Sequence, residues 1–206
     1  MSRGVFAHWP NRITALRFLG ALALFAVFGV WCDRPVDELA AIKPVLALAF
    51  WLFIATAASD FLDGYLARRG NLITAFGRIA DPFVDKVLIL GSMIYLAVLP
   101  WSRGFFPAWI VVVILAREFL VTGIRGYVES LGGQFPADWF GKVKMFTQCF
   151  AVATVLGLAA FELTPEARGI WTAAAEVFVM ATVLTSVGSG LSYVIKARAV
   201  FAESAR

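Results

Sequence analysis

An all-α integral membrane protein, with six transmembrane helices and both termini cytoplasmic, is the fold that this sequence predicts. Three observations lead there. Apolar residues make up 61% of the 206 and charged residues 16%, against roughly 45–50% and 25% in soluble domains, and the mean hydropathy is +0.81. The apolar residues fall into six blocks, each near the roughly 20 residues that cross a bilayer as a helix. Lysine and arginine are distributed unevenly between alternate connections, as the positive-inside rule requires.

The blocks cover 13–31, 45–67, 79–100, 105–127, 143–162 and 171–195. The first carries Arg17 inside its apolar start and five more follow, so it reads as a retained helix and not as a cleaved signal. Before it, Met1 to Arg12 mixes Val5, Phe6 and Trp9 with Arg3, His8 and Arg12, the pattern of a short segment lying at the interface over 1–12. The second block opens on the uncharged run from Val45 to Ile54 and meets its first charge at Asp60. The fourth runs unbroken from Trp109 to Ala116 before Arg117, and the sixth holds only Glu176 before Lys196. No connection is long enough for a second domain, so 1–206 reads as one membrane domain. Cys32 and Cys149 lie in different blocks outside any CxxC or Cys/His cluster, which argues against a disulfide or zinc site. One histidine, His8, excludes chemistry built on several. The net charge of +4 suits loops facing anionic lipid better than nucleic acid.

With the N-terminus cytoplasmic, 14 of the 18 lysines and arginines fall on that side, leaving Arg34, Lys43, Arg103 and Arg168 on the other. This places both termini in the cytoplasm.

Carboxylates inside spans cost roughly 2.5–3.5 kcal/mol each near a helix centre. Four aspartates nevertheless sit at the cytoplasmic ends of the second and third blocks: Asp60 and Asp63, three apart, and Asp81 and Asp85, four apart. On helices each pair shares a face, and a turn near Gly70 and Asn71 folds the two pairs together. Clustered carboxylates repel unless cations hold them, and hard oxygen ligands suit magnesium or manganese, commonly shared with a substrate phosphate. Gly64, Ala67 and Gly77 leave room beside them for a ligand, or equally for close helix packing.

From Asp60 to Asp85 the chain reads D-x2-D-G-x2-A-R-x8-G-x3-D-x3-D. At every fixed position this resembles the signature of the CDP-alcohol phosphotransferases, and the six-span layout is similar as well. The resemblance implies transfer of a phosphatidyl or related group from a CDP-linked donor to an alcohol, with release of CMP and no covalent enzyme intermediate. It implies two divalent metals on Asp60, Asp63, Asp81 and Asp85, with Asp85 also the general base. Gly64, Arg68 and Thr74 stand where the family contacts the cytidine nucleotide. The residues alone do not separate Asp85 from Asp81 as base. A homodimer in the cell membrane, with its site on the cytoplasmic side, is also implied.

Two further segments bear on the alcohol. Pro10-Asn11-Arg12-Ile13-Thr14-Ala15-Leu16-Arg17 resembles the P-N-x2-T-x2-R start of bacterial members that make phosphatidylglycerophosphate, which implies donor contacts from Asn11 and Thr14. Helix capping by Asn11 and interface anchoring by Arg17 are the simpler readings. Ala116-Arg117-Glu118 leads to Arg125, and Gly141-Lys142-Val143-Lys144 opens the fifth block. Arg117 and Arg125 lie on one helical face about 12 Å apart by rise, and with Lys142 and Lys144 they form a candidate site for a phosphorylated acceptor. The lysines also fit positive-inside signalling. The pattern is similar to ARE…R…GKxKT of members that use CDP-diacylglycerol and glycerol-3-phosphate, with Met145 in the last position and Thr147 two residues on. Other acceptors, as in phosphatidylserine, phosphatidylinositol-phosphate and cardiolipin synthases, share the aspartates but not this need for cations. A divalent-cation transporter is disfavoured because the acids lie at one side only.

Overall fold

A computed structural model of the chain describes residues 9–70, 75–131 and 139–204, with side chains for 11–59, 80, 82–131, 139 and 141–198. Every apolar block is a helix: α1 Trp9–Val27, α2 Lys43–Gly70, α3 Ala75–Val98, α4 Ala108–Ser130, α5 Trp139–Ala160 and α6 Pro165–Ser204. A π-helical turn, Phe28–Cys32, continues α1, and a 3-10 turn, Val36–Glu38, precedes α2. The described residues contain no strand.

Local chemistry explains the ends. Pro10 lies in the first turn of α1, where its missing N–H costs nothing. Asn11 therefore sits inside the helix, nearly fully buried, and the capping reading gives way to an inward-facing role. At the head of α6 the Ala167 N–H donates to the Thr164 hydroxyl at 3.3 Å and the Arg168 N–H to the Thr164 carbonyl at 2.8 Å. Pro165 follows at the first helical position and Glu166 in the first turn, a favourable capping sequence. This start lengthens α6 to 40 residues, about 60 Å by helix rise and well beyond the expected 171–195.

Among the described residues three stretches are long and apolar enough to cross a membrane: Asn11–Cys32, Gly141–Ala160 and Pro165–Arg198. In α2 the qualifying apolar stretch is the shorter Lys43–Ser59. α3 and α4 carry Asp85, Lys86, Arg117, Glu118 and Arg125, charges that lower their hydropathy.

α6 packs along α5 and α4, α1 against α2 and α3, and α2 against α5. Leu24, Phe28, Leu46, Phe53, Met93, Leu96, Ile114, Val155 and Leu156 are fully buried between them. The outer faces carry large apolar side chains such as Leu48, Val112, Phe119, Ile170 and Leu184. In lipid, burial between helices is driven by close packing more than by escape from water, so small residues at crossings matter. Gly91 of α3 is one: a Cβ there would stand 2.2 Å from Cζ of Phe25 on α1. At this end of the bundle the connections are pinned as well. The Trp101 indole donates to the Cys32 carbonyl at 3.0 Å, the Ser102 hydroxyl to the Leu96 carbonyl at 2.8 Å, and Lys43 pairs with Glu162 at 3.0 Å.

Candidate active site

The helices alternate in direction, so the starts of α1, α3 and α5 meet the later turns of α2, α4 and α6. Buried polar residues gather there: Asn11, Thr14 and Arg17 on α1, Arg117 and Glu118 on α4, Thr147 and Gln148 on α5, and Ser186, Ser189 and Tyr193 on α6.

Among the described residues Arg17 is the least exposed charge. Its guanidinium donates to Asp85 Oδ1 at 2.8 Å, with side-chain exposures of 1% for Arg17 and 26% for Asp85. The contact ties α1 to α3 and fixes the carboxylate's orientation. Thr56 of α2 packs on Gly20 of α1, so one further turn of α2 brings the Asp60 backbone to the level of Arg17. Asp63, Gly64 and Arg68 continue along α2, and Asp81 precedes Asp85 on α3. The side chains of Asp60, Asp63, Arg68 and Asp81, the surroundings of Gly64, and the whole of Thr74, lie outside the described residues. Thr14 is buried on α1 one turn before Arg17.

The four expected acceptor cations come together. Arg117, Arg125, Lys142 and Lys144 line one cavity of about 580 Å³. Arg125 donates to the Tyr193 hydroxyl at 2.7 Å, and its Cζ lies 5.5 Å from that ring's centroid, against 6.0 Å for Arg117. Tyr193 thus sits between the two arginines, and Arg117 also donates to the Ser189 hydroxyl. Gly190 keeps α6 close: a Cβ there would approach the Arg117 Cγ to 3.0 Å.

Glu118 organises the remaining charge. It accepts from Lys144, pairs with Arg117 at 2.7 Å, and lies 3.9 Å from Lys86. A buried carboxylate is tolerable only with such partners. Lys86, Arg117, Arg125, Lys142 and Lys144 in the cavity wall outnumber Glu118 and Glu129, leaving a formal +3 that favours an anion. Met145 lines this cavity. Thr147 turns away instead, bonding the Lys144 carbonyl at 2.9 Å and the Thr185 hydroxyl at 3.1 Å. Its hydroxyl does not replace the threonine of the usual pattern.

A smaller chamber of about 170 Å³ adjoins the cavity, sharing Lys86, Glu118, Lys144 and Met145 with it and adding Asp85 and Gln148. On the other side an apolar cleft of about 530 Å³ lies among Phe25, Phe83, Leu90, Ile94 and Phe119. Pro82, Lys86 and Glu118 border all three spaces.

In the sequence Arg17 reads as an anchor and Lys86 as one of the 14 cytoplasmic-side cations, while Gln148, Ser189 and Tyr193 do not stand out. Lys86 beside Asp85, and Gln148 one turn after Lys144, were the available hints.

Comparison with known proteins follows the same lines. The family model described as CDP-alcohol phosphatidyltransferase matches residues 7–188. The chain is 38% identical over 153 residues to the CDP-diacylglycerol–glycerol-3-phosphate 3-phosphatidyltransferase of Bacillus subtilis, covering 71% of this chain and 75% of that one. It is 37% identical over 125 residues to the protein of the same name from Rickettsia felis, covering 55% and 67%. It is 39% identical over 148 residues to a probable phosphatidylglycerophosphate synthase of Mycobacterium tuberculosis, covering 71% and 65%.

Proposed function

The chain belongs to the CDP-alcohol phosphatidyltransferase family, and from that premise we propose that it transfers the phosphatidyl group of CDP-diacylglycerol to glycerol-3-phosphate, giving phosphatidylglycerophosphate and CMP. The observation that carries the acceptor is the +3 cavity formed by Arg117, Arg125, Lys142 and Lys144 beside the chamber that holds Asp85. The names of the Bacillus and Rickettsia relatives support the same acceptor.

Glycerol-3-phosphate enters with its phosphate among the cations, where Arg and Lys donate charge-assisted hydrogen bonds. Its C1 hydroxyl then lies toward Asp85, which takes the proton. The C1 oxygen forms a bond to the phosphorus carrying the diacylglycerol, and the phosphoanhydride bond to CMP breaks. Arg17 holds Asp85 at the required angle. Asn11, Thr14, Gly64, Arg68 and Thr74 bind the CDP portion, and the cleft at Phe83 and Phe119 seats donor acyl chain. The donor set of Asp60, Asp63, Asp81 and Asp85, all carboxylate, with Asp85 facing the chamber, fits two magnesium or manganese ions. When bound, such ions supply electrostatic stabilisation of the reacting phosphate and the leaving CMP.

The protein acts as one membrane domain of six spans, one per helix, with both termini cytoplasmic and the site on that face of the cell membrane, as a homodimer. Trp31, Trp101 and Trp109 near one end of the bundle, and Trp139 at the other, fit the aromatic belts of two interfaces.

The test is CMP release by purified enzyme with CDP-diacylglycerol and a panel of alcohols. Release with glycerol-3-phosphate and not with serine or inositol phosphate is expected. The opposite pattern would overturn the acceptor and keep the chemistry.

A further inference from the structure

Building on the acceptor reading above, we propose that Gln148 is a specificity residue that donates a hydrogen bond to the C2 hydroxyl of glycerol-3-phosphate. Gln148 is 4% exposed and borders the chamber together with Asp85 and Lys144. Lys144 and Gln148 are one turn apart on α5, so they share a face, while Asp85 stands on α3. The Gln148 amide nitrogen is, among the described residues, the one fully buried side-chain polar atom of this lining without a hydrogen-bond partner. A buried donor without a partner is costly, and a ligand or water normally answers it.

The acceptor's shape supplies the partner. Its phosphate and its reacting C1 hydroxyl lie at opposite ends of a three-carbon chain. With the phosphate in the cation cavity and the C1 oxygen at Asp85, the middle carbon crosses the chamber that joins them. The C2 hydroxyl is the only other polar group on that chain, and Gln148 is the donor waiting there. An amide built to meet a hydroxyl discriminates against the analogue lacking it, because the donor is then left unsatisfied.

The experiment compares glycerol-3-phosphate with 3-hydroxypropyl phosphate, which has the same ends and no C2 hydroxyl, as acceptors for CMP release. The wild-type enzyme should favour glycerol-3-phosphate in kcat/KM by about ten- to hundredfold, the worth of one buried hydrogen bond. Gln148→Met, similar in shape without the donor, should bring the ratio close to one, with the glycerol-3-phosphate value lowered and the value for the analogue held or raised. Equal use of both acceptors by the wild-type enzyme overturns the assignment without any variant. So does a Met variant that keeps the wild-type ratio while both values fall together, the mark of a packing role. A wild-type enzyme that releases CMP with a different alcohol and not with glycerol-3-phosphate defeats the acceptor reading itself, and this assignment with it.

Discussion

Where α3 and α5 begin, the bundle buries Arg17, Arg117, Glu118 and Gln148, with Asp85 and Lys144 half-buried among them; at its opposite end the same helices bury Phe28, Phe53, Leu96 and Phe106. The apolar end is held by shape, with Gly91 and Phe25 in direct contact. The polar end is held instead by a chain of charges, Arg17 to Asp85 and Lys86, Arg117 and Lys144 to Glu118. Charges inside a membrane protein are costly and mark function. The contrast teaches that substitutions at the two ends should fail differently: in turnover at one, in stability at the other.

The largest effect should come from Asp85→Asn. The amide keeps an oxygen for Arg17 to bond but cannot take the proton. CMP release should fall by about a hundredfold to ten-thousandfold, while titration with CDP-diacylglycerol shows donor binding retained. Activity near wild type in that variant would remove Asp85 as base.

Gly91→Val probes the opposite end. Its added carbons meet the Phe25 ring, and overpacking of this kind costs about 1–3 kcal/mol. The expected result is a lowered Tm in detergent with KM for glycerol-3-phosphate unchanged, since Gly91 lines the apolar cleft and neither the cation cavity nor the chamber beside Asp85. A shift in KM for glycerol-3-phosphate with no loss of Tm would mean that the two ends are not separable.

The smallest effect belongs to Glu162, fully exposed in the turn after α5. The hydrogen bond from Lys43, and then its charge, hold the Glu162 carboxyl below its ordinary pKa. A carboxylate with a depressed folded pKa stabilises above its unfolded pKa and loses that contribution as pH falls through the folded value. Glu162→Gln should therefore lower Tm slightly at neutral pH, and the difference should vanish once the carboxylate is protonated in acid. A Tm difference that persists at low pH would point to packing in place of charge.

Much of this contrast was legible in the sequence, because periodicity and composition act locally. Each apolar block became a helix, and the spacing of Arg117, Arg125, Lys142 and Lys144 sufficed to bring them to one cavity. The pairing of Arg17 with Asp85 was not legible, since 68 residues separate them and either could have faced another partner. Lys86 counted equally well as a topology signal. The length of α6 was under-read because hydropathy fades near Lys196, although Thr164-Pro165-Glu166 marks its start. Gln148 could not be singled out, since an amide in an apolar helix becomes informative only when its neighbours leave it unsatisfied.

The account turns on whether the cations at the polar end read the acceptor's phosphate. The direct measurement is steady-state CMP release by Arg125→Ala, an exposed position where truncation spares the core, with each substrate varied in turn. KM for glycerol-3-phosphate should rise about tenfold or more, the loss of one charge-assisted hydrogen bond, with KM for CDP-diacylglycerol unchanged. An unchanged KM for glycerol-3-phosphate, or an equal rise for both substrates, would contradict it.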